Sequence, residues 1–329
     1  MVKKTLQAIS IGILIMTAML ANADQPKLNE HWALAIHGGA GSLEKLNEEA
    51  KQLRKDGLAS ALEEGRTVLK RGGSALDAVE SVIRILEDDA NFNAGRGAKL
   101  TSTGQVELDA SIMDGKTKSC GAVACVTNVK NPITLARRVM TETKHVLLMG
   151  KGAEDFAVSQ NMPIVDQAYF LSVNRLRWSS DDLTIDHIAE DTHYGTVGCV
   201  ALDSAGNLAA GTSTGGTTKK MPGRIGDSPI IGAGTYASND TCAVSGTGIG
   251  EEYIRHAVAY DIAAQMRYAN RTLESAVTEI IQHRLNPDDG GVIALSKDGT
   301  IVLQHNTANM VCGAADSRGR FDVFLKIAE

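Results

Sequence analysis

The chain has 329 residues, 43% hydrophobic and 22% charged, ordinary globular values that exclude disordered and fibrous classes. Its formal net charge is -6 with no basic cluster, which argues against nucleic acid or an anionic membrane as partner. The length suffices for a large buried core.

The chain opens Met1-Val2-Lys3-Lys4, runs apolar from Ile9 to Leu20 and then reads Ala21-Asn22-Ala23. A basic start, an apolar middle and an Ala-x-Ala site form a secretory signal over residues 1–23. The apolar part is short for a hydrocarbon core of ~30 Å, which disfavours a permanent anchor. The expected mature chain starts at Asp24, is periplasmic or secreted, and has no membrane contact once the signal is removed. Cys120, Cys125, Cys199, Cys242 and Cys312 stand in apolar contexts without zinc-ligand spacing, so they read as buried thiols.

Ala33-Leu34-Ala35-Ile36 predicts a strand, stopped by the turn His37-Gly38-Gly39-Ala40-Gly41. Two helical patterns follow. In the second, Ser74 caps the start with Asp77 three residues on, and Leu76, Val79, Val82, Ile83 and Leu86 share a face. Residues 121–128 read as a buried strand, and 132–158 as helical with a break near Gly150-Lys151-Gly152. From Ser159 to Tyr194 the pattern is polar and irregular, the mark of a mobile surface segment. Regularity returns at Thr196. Val197–Asp203 and Leu208–Thr214 predict a hairpin, as do Val292–Ser296 and Thr300–His305, with helices over 250–268 and 271–284 between them. Strands grouped in hairpins and helices in separate runs predict mainly antiparallel sheets covered by helices, an α+β class, not a βαβ series.

His193-Tyr194-Gly195-Thr196-Val197-Gly198 places a threonine between the irregular segment and a buried strand, directly after glycine. A hydroxyl in that position can attack the preceding main-chain carbonyl where the peptide is bent, and glycine tolerates the strain. Hydrolysis of the resulting ester makes Thr196 a new amino terminus. Its α-amine titrates at about 7.7–8.0 in model compounds and can take the proton of its own hydroxyl. The string alone is weak, since most such strings begin ordinary strands, but its company changes the odds. Thr214 ends the partner strand in Thr212-Ser213-Thr214-Gly215-Gly216, where its hydroxyl can orient that of Thr196. In Pro222-Gly223-Arg224-Ile225-Gly226-Asp227-Ser228-Pro229, Arg224 offers a planar fork for a carboxylate and Asp227 an anion for an ammonium. Ser245-Gly246-Thr247-Gly248-Ile249-Gly250-Glu251 precedes a helix, and Thr247 with the Gly248 amide can form an oxyanion hole.

Together with Ile36-His37-Gly38-Gly39-Ala40-Gly41, Phe92-Asn93-Ala94-Gly95-Arg96-Gly97, Glu107-Leu108-Asp109-Ala110, Met113-Asp114-Gly115 and Asn131-Pro132-Ile133-Thr134-Leu135-Ala136-Arg137, these strings resemble the isoaspartyl peptidases and plant-type L-asparaginases, amino-terminal-nucleophile hydrolases. The resemblance implies a four-layer αββα sandwich, cut into an α subunit over 24–195 and a β subunit over 196–329. It implies Thr196 as nucleophile and base, Thr214 as its hydroxyl neighbour, Thr247 and Gly248 as the oxyanion site, and Asn93 near the nucleophile. Arg224, Asp227, Gly248 and Gly250 would hold the substrate. The implied substrates are β-aspartyl dipeptides and L-asparagine. No cofactor is required, but relatives carry a sodium ion on backbone carbonyls, matching Leu86, Glu87, Asp89, Phe92, Ala94 and Arg96. A dimer of αβ units is implied as well. The chain departs from the family at Gly246 and Ile249 and in Asn306-Thr307-Ala308-Asn309-Met310, which matches the late family pattern only partly.

Three other readings fit parts of the sequence. Glycosylasparaginase shares the fold and the nucleophile, but the residue before its threonine is typically Asp, where this chain has Gly195. Gly211-Thr212-Ser213-Thr214-Gly215 satisfies the Gly-x-Ser-x-Gly of α/β-hydrolases but lacks the helix that must follow. An inactive periplasmic amino-acid binder has no need of Gly195 or Thr196, and both are present.

Overall fold

A computed structural model describes residues 31–44, 46–170 and 195–326. The expected signal over 1–23 and most of the expected surface segment before Tyr194 lie outside the described residues. The chain order begins β1 (Ala33–Gly41), α1 (Glu48–Lys70), α2 (Ala75–Asp88), a 3-10 turn at Gly95–Gly97, β2 (Leu108–Asp114) and β3 (Cys120–Val126). Next come α3 (Pro132–Glu142), β4 (Leu147–Met149), α4 (Gly150–Ser159) and α5 (Gln167–Phe170). After Thr196 follow β5 (Val197–Leu202), β6 (Leu208–Thr214), β7 (Thr235–Ala237), β8 (Cys242–Gly248), α6 (Gly250–His256), α7 (Val258–Ala269) and α8 (Leu273–Thr278). A π-helical turn at Glu279–Arg284, β9 (Gly290–Ser296), β10 (Ile301–His305), β11 (Asn309–Asp316) and β12 (Phe321–Phe324) complete the described chain.

Eight strands form one sheet in the order β12-β11-β1-β5-β6-β2-β3-β4, and four form a second in the order β10-β9-β8-β7. The alternation of side chains along each strand sorts the interior into three apolar layers. Leu34 and Ile36 of β1, Cys199 and Ala201 of β5 and Ala209 of β6 face α1, α2 and α3 with Leu62, Val79, Ile83 and Val139. The other faces of the same strands, Ala33, Ala35, Val200, Leu202 and Ala210, meet Ala243 of β8 and Ile293 and Leu295 of β9 between the sheets. Val244, Val292 and Ala294 then face Val258, Ile262 and Val277 on the outer helices. Helix, sheet, sheet and helix are thus stacked, the α+β sandwich expected. The inward faces of β1, β6 and β8 carry mainly Ala, Ser and Thr, such as Ala33, Ala35, Ala210, Thr212, Ala243 and Ser245, which lets the sheets approach closely.

Both hairpins pair as expected, Val197 opposite Ser213 and Ile301 opposite Leu295. Three details differ. The chain pairs on past His37 to Gly41 with a register shift between His37 and Ala40, so the glycine run is a bulged strand end and not a free turn. Helix 132–158 is interrupted earlier than Gly150, by the three-residue β4, which pairs parallel to β3. That makes one βαβ unit at the sheet edge, too short in β4 to leave an alternation. The outer helix breaks at Ala257, in the left-handed region at φ 46°. There the Ala259 and Tyr260 amides donate to the carbonyls of Ala233 and Gly232 instead of continuing the helix. All five cysteines are free, four of them buried.

The expected cap of α2 is present as a reciprocal box: the Asp77 amide donates to Ser74 Oγ at 3.1 Å, and the Asp77 carboxylate accepts from Ser74. Ser74→Ala should therefore lower unfolding free energy by about 1 kcal/mol in denaturant titration, with the transition remaining cooperative.

Candidate active site

Thr196 lies one residue before β5, and Thr214 ends the antiparallel β6. Because Val197 pairs with Ser213, the two threonines are neighbours, and Thr196 Oγ1 donates to Thr214 Oγ1 at 3.1 Å. Thr214 Oγ1 in turn accepts the Gly216 amide at 2.9 Å, which fixes its lone pairs and the turn beyond it. Both threonines are buried. Asn93 does not reach Thr196 by any hydrogen bond. It braces the Thr214-Gly215-Gly216 turn, donating from Nδ2 to Gly216 O at 2.7 Å while its main-chain carbonyl accepts the Gly215 amide at 3.0 Å.

The peptide ahead of Thr196 is enclosed by bare backbone. Gly39, at φ +112°, passes so near that a β-carbon there would stand 2.6 Å from Gly195 N and 2.8 Å from Gly195 O. From the second sheet Thr247 Oγ1 comes up to Gly195, and it accepts the Ala40 amide at 3.3 Å. The bulge in β1 thus holds Thr247 and the 195–196 junction together. A side chain at position 39 would push them apart.

Three residues beyond Thr247, the chain reaches the other half of the site. A β-carbon on Gly250 would stand 2.9 Å from both Arg224 Nη2 and Asp227 Oδ1, so this backbone seats the two charged groups side by side. Gly248 is likewise closely held, against the Asp289 carbonyl. Arg224 is occupied: Nε and Nη2 donate to the two Glu251 oxygens at 2.9 and 2.8 Å. Asp227 is buried, and its Oδ2 has no hydrogen-bond partner. Burial pushes its carboxyl up to about 7, only partly countered by Arg224. A buried carboxyl oxygen without a donor is costly unless a ligand supplies one, and a cationic ligand would restore the charged form.

Behind Thr196 stand groups that no sequence motif marks. His37 Nδ1 lies 3.0 Å from Thr196 O, and Nε2 lies 3.0 Å from Ser245 Oγ. Burial pushes the imidazole down to about 3, against the pull of the Thr196 carbonyl, so the ring is neutral at ordinary pH. The signal in the sequence is His37-Gly38-Gly39, a histidine at a strand end beside glycines, but the partners that give it a role lie 159 and 208 residues away.

The carbonyls expected to face sodium lie around the 3-10 turn. β-Carbons on Gly95 and Gly97 would stand 2.3 Å from Glu87 O and 2.0 Å from Phe92 O, so this backbone is folded in on itself. The Asp89 and Ala94 carbonyls each accept one turn amide. The Glu87 side chain is buried and turned away, accepting from Ser213 Oγ at 2.7 Å, and burial raises its carboxyl to about 8. Among the described residues no cluster of three or more His, Cys, Asp or Glu could hold a metal, so any ion here would rest on carbonyl oxygens.

Comparison with known proteins agrees with the geometry. The isoaspartyl peptidases of Escherichia coli and Salmonella typhimurium are each 43% identical over 290 residues, 84% of this chain and 90% and 93% of theirs. The isoaspartyl peptidase/L-asparaginase of Bos taurus is 41% identical over 287 residues, 86% of this chain and 92% of its own. The family model described as asparaginase (Asparaginase_2) matches residues 30–325, so a chain with this sandwich, this threonine pair and this Arg–Asp seat belongs to the asparaginase family.

Proposed function

We propose that this protein is an isoaspartyl peptidase/L-asparaginase that cleaves itself between Gly195 and Thr196 and releases L-aspartate from β-aspartyl dipeptides and L-asparagine. The observation that carries the reading is the 3.1 Å contact between Thr196 Oγ1 and Thr214 Oγ1 at a junction that begins a buried strand. In the first step Thr196 Oγ1 attacks the Gly195 carbonyl carbon, the peptide C–N bond breaks, and water hydrolyses the ester. Gly195 then ends the α subunit, and Thr196 opens the β subunit with a free amine.

In turnover that amine takes the Oγ1 proton as Oγ1 adds to the side-chain carbonyl of the substrate. Thr247 Oγ1 and the Gly248 amide serve the developing oxyanion. The scissile C–N bond breaks, the proton passes to the leaving amine, and a β-aspartyl ester remains on Thr196. Water, deprotonated by the same α-amine, then releases aspartate. Arg224 donates to the substrate α-carboxylate beside Glu251, and Asp227 takes the α-ammonium on its carboxylate, with Gly248 and Gly250 as backbone contacts. Asn93 acts by holding the Thr214 turn. The closely folded backbone over Leu86, Glu87, Asp89, Phe92, Ala94 and Arg96 suits a sodium ion on carbonyls, a hard-cation donor set that would stiffen the wall behind Thr214. Export to the periplasm rests on the amino-terminal pattern over 1–23, and a dimer of αβ units rests on the family resemblance.

Mass spectrometry of the purified protein should find two fragments, one beginning at Thr196. Thr196→Ala should give a single polypeptide without aspartate release from β-Asp-Leu or asparagine. An active uncut precursor would overturn the proposal.

Asp227 must be ionised to hold an ammonium, and burial places its carboxyl at about 7. Below that pH the group is protonated, so KM should rise as pH falls through 7. Asp227→Asn should raise KM at pH 8 by about 30-fold or more, the equivalent of about 2 kcal/mol for a buried charge pair, and abolish that pH trend in KM. Steady-state kinetics from pH 5.5 to 8.5 checks both.

A further inference from the structure

Behind the nucleophile runs a file of buried polar side chains that the proposed chemistry does not use. Ser111 lies on β2, Thr235 on β7, Thr212 on β6, Ser245 on β8 and His37 on β1, all fully buried between the two sheets. Successive contacts are 2.8 Å from Ser111 Oγ to Thr235 Oγ1, 2.6 Å from Thr235 Oγ1 to Thr212 Oγ1 and 2.7 Å from Thr212 Oγ1 to Ser245 Oγ. The file then continues through the imidazole to Thr196 O.

Proton counting gives it one direction. A carbonyl oxygen only accepts, so Nδ1 carries the ring proton. The ring is neutral, so Nε2 accepts, and the Ser245 hydroxyl donates to it. With its proton so placed, Ser245 accepts from Thr212, which accepts from Thr235. Ser111 has one proton for both the Ser228 carbonyl at 2.6 Å and Thr235 Oγ1, so the direction is fixed from Thr235 to His37 and Ser111 only borders the far end. The path also explains the second glycine of Gly195-Thr196-Val197-Gly198. Position 198 pairs with His37, and a β-carbon there would stand 2.0 Å from Ser245 Oγ and 2.3 Å from His37 Nε2.

We infer that His37, its tautomer set by the Thr196 carbonyl and its ring held in place by the Ser245–Thr212–Thr235 file, is a positioning residue that clamps the Thr196 carbonyl and so aims the nucleophile and its own amine. This rests on the proposed role of Thr196. Once the 195–196 bond is cut, Thr196 has no covalent tether on its amino side. Its Cα–C torsion then swings the amine and Oγ1 together, and a donor held on the carbonyl restrains that swing. Misplacement by about 1 Å is enough to cost about 100-fold in rate.

Two substitutions separate clamping from mere packing. In His37→Asn the amide nitrogen falls where Nδ1 lies and can donate to Thr196 O. In His37→Gln it falls nearer Nε2, reaching Ser245 but not Thr196. His37→Gln should lower kcat by about 10- to 100-fold with KM within about twofold, and His37→Asn should restore kcat to within about fivefold of the parent. Ser245→Ala, the smallest change in the file, should lower kcat at unchanged KM while thermal unfolding still reports a folded protein. Parental kcat in His37→Gln would overturn the inference. So would equal losses in the Asn and Gln variants, whether through failed turnover or failed processing. Thr196→Ala, run alongside, keeps the two ideas apart: if it is active the nucleophile assignment fails, whereas if it is inert and His37→Gln is normal only the clamp fails.

Discussion

The site depends on one close approach: backbone without side chains where the end of β1 crosses the start of β5. Gly39 lies against the Gly195 peptide, and the His37–Ser245 pair passes over Gly198. Those contacts let Thr247 from the second sheet reach the same junction that Thr214 reaches from the first. A β-carbon at 39 or 198 would need about an ångström of separation there, more than a close-packed interior gives without shifting whole strands. Three strands of one sheet and one of the other are thereby held on a single threonine.

The two halves of the site are electrostatically unlike, and the split follows from burial. Around Thr196 the groups are neutral: hydroxyls, backbone amides and an imidazole that burial holds far below its ordinary range. Around Arg224 they are charged or poised to be, with Glu251 in the guanidinium fork and Asp227 half-titrated near neutral pH. A zwitterionic amino-acid end suits the second half, and an uncharged carbonyl suits the first. The four-residue separation of Thr247 from Glu251 sets the distance between them on one strand end and helix start.

Much of this was legible in the sequence where local pattern and local chemistry coincide. The Ser74–Asp77 cap, both hairpins and the α+β class follow from alternation, turn residues and capping, each settled within a few residues. The Thr196–Thr214 pair was legible for the same reason, since a hairpin register puts them opposite one another. What escaped was non-local. The three-residue β4 depends on an edge of β3 and has no pattern of its own. The break at Ala257 is made by carbonyls at 232 and 233, and nothing in the sequence around Ala257 announces it. Asn93 bonds the Lys99 amide nearby and the backbone of the Thr214 turn more than a hundred residues on, a contact no local pattern announces.

The same distinction bears on the acid–base chemistry. A histidine 3.0 Å from the Thr196 carbonyl invites the role of general base, as in serine hydrolases. Its surroundings argue otherwise. It touches the Thr196 carbonyl and not the hydroxyl, both ring nitrogens are engaged, and burial disfavours its taking a proton at any ordinary pH. Thr214 cannot accept a proton usefully either, since a neutral hydroxyl is a poor base and its oxygen already receives the Gly216 amide. With those two set aside, no titratable side chain among the described residues contacts Thr196 Oγ1, and the reaction in the proposed scheme needs a base that scission itself creates. In that scheme the neutrality of His37 is a requirement: a cation behind Thr196 would lower the basicity of the amine that the proposed turnover uses.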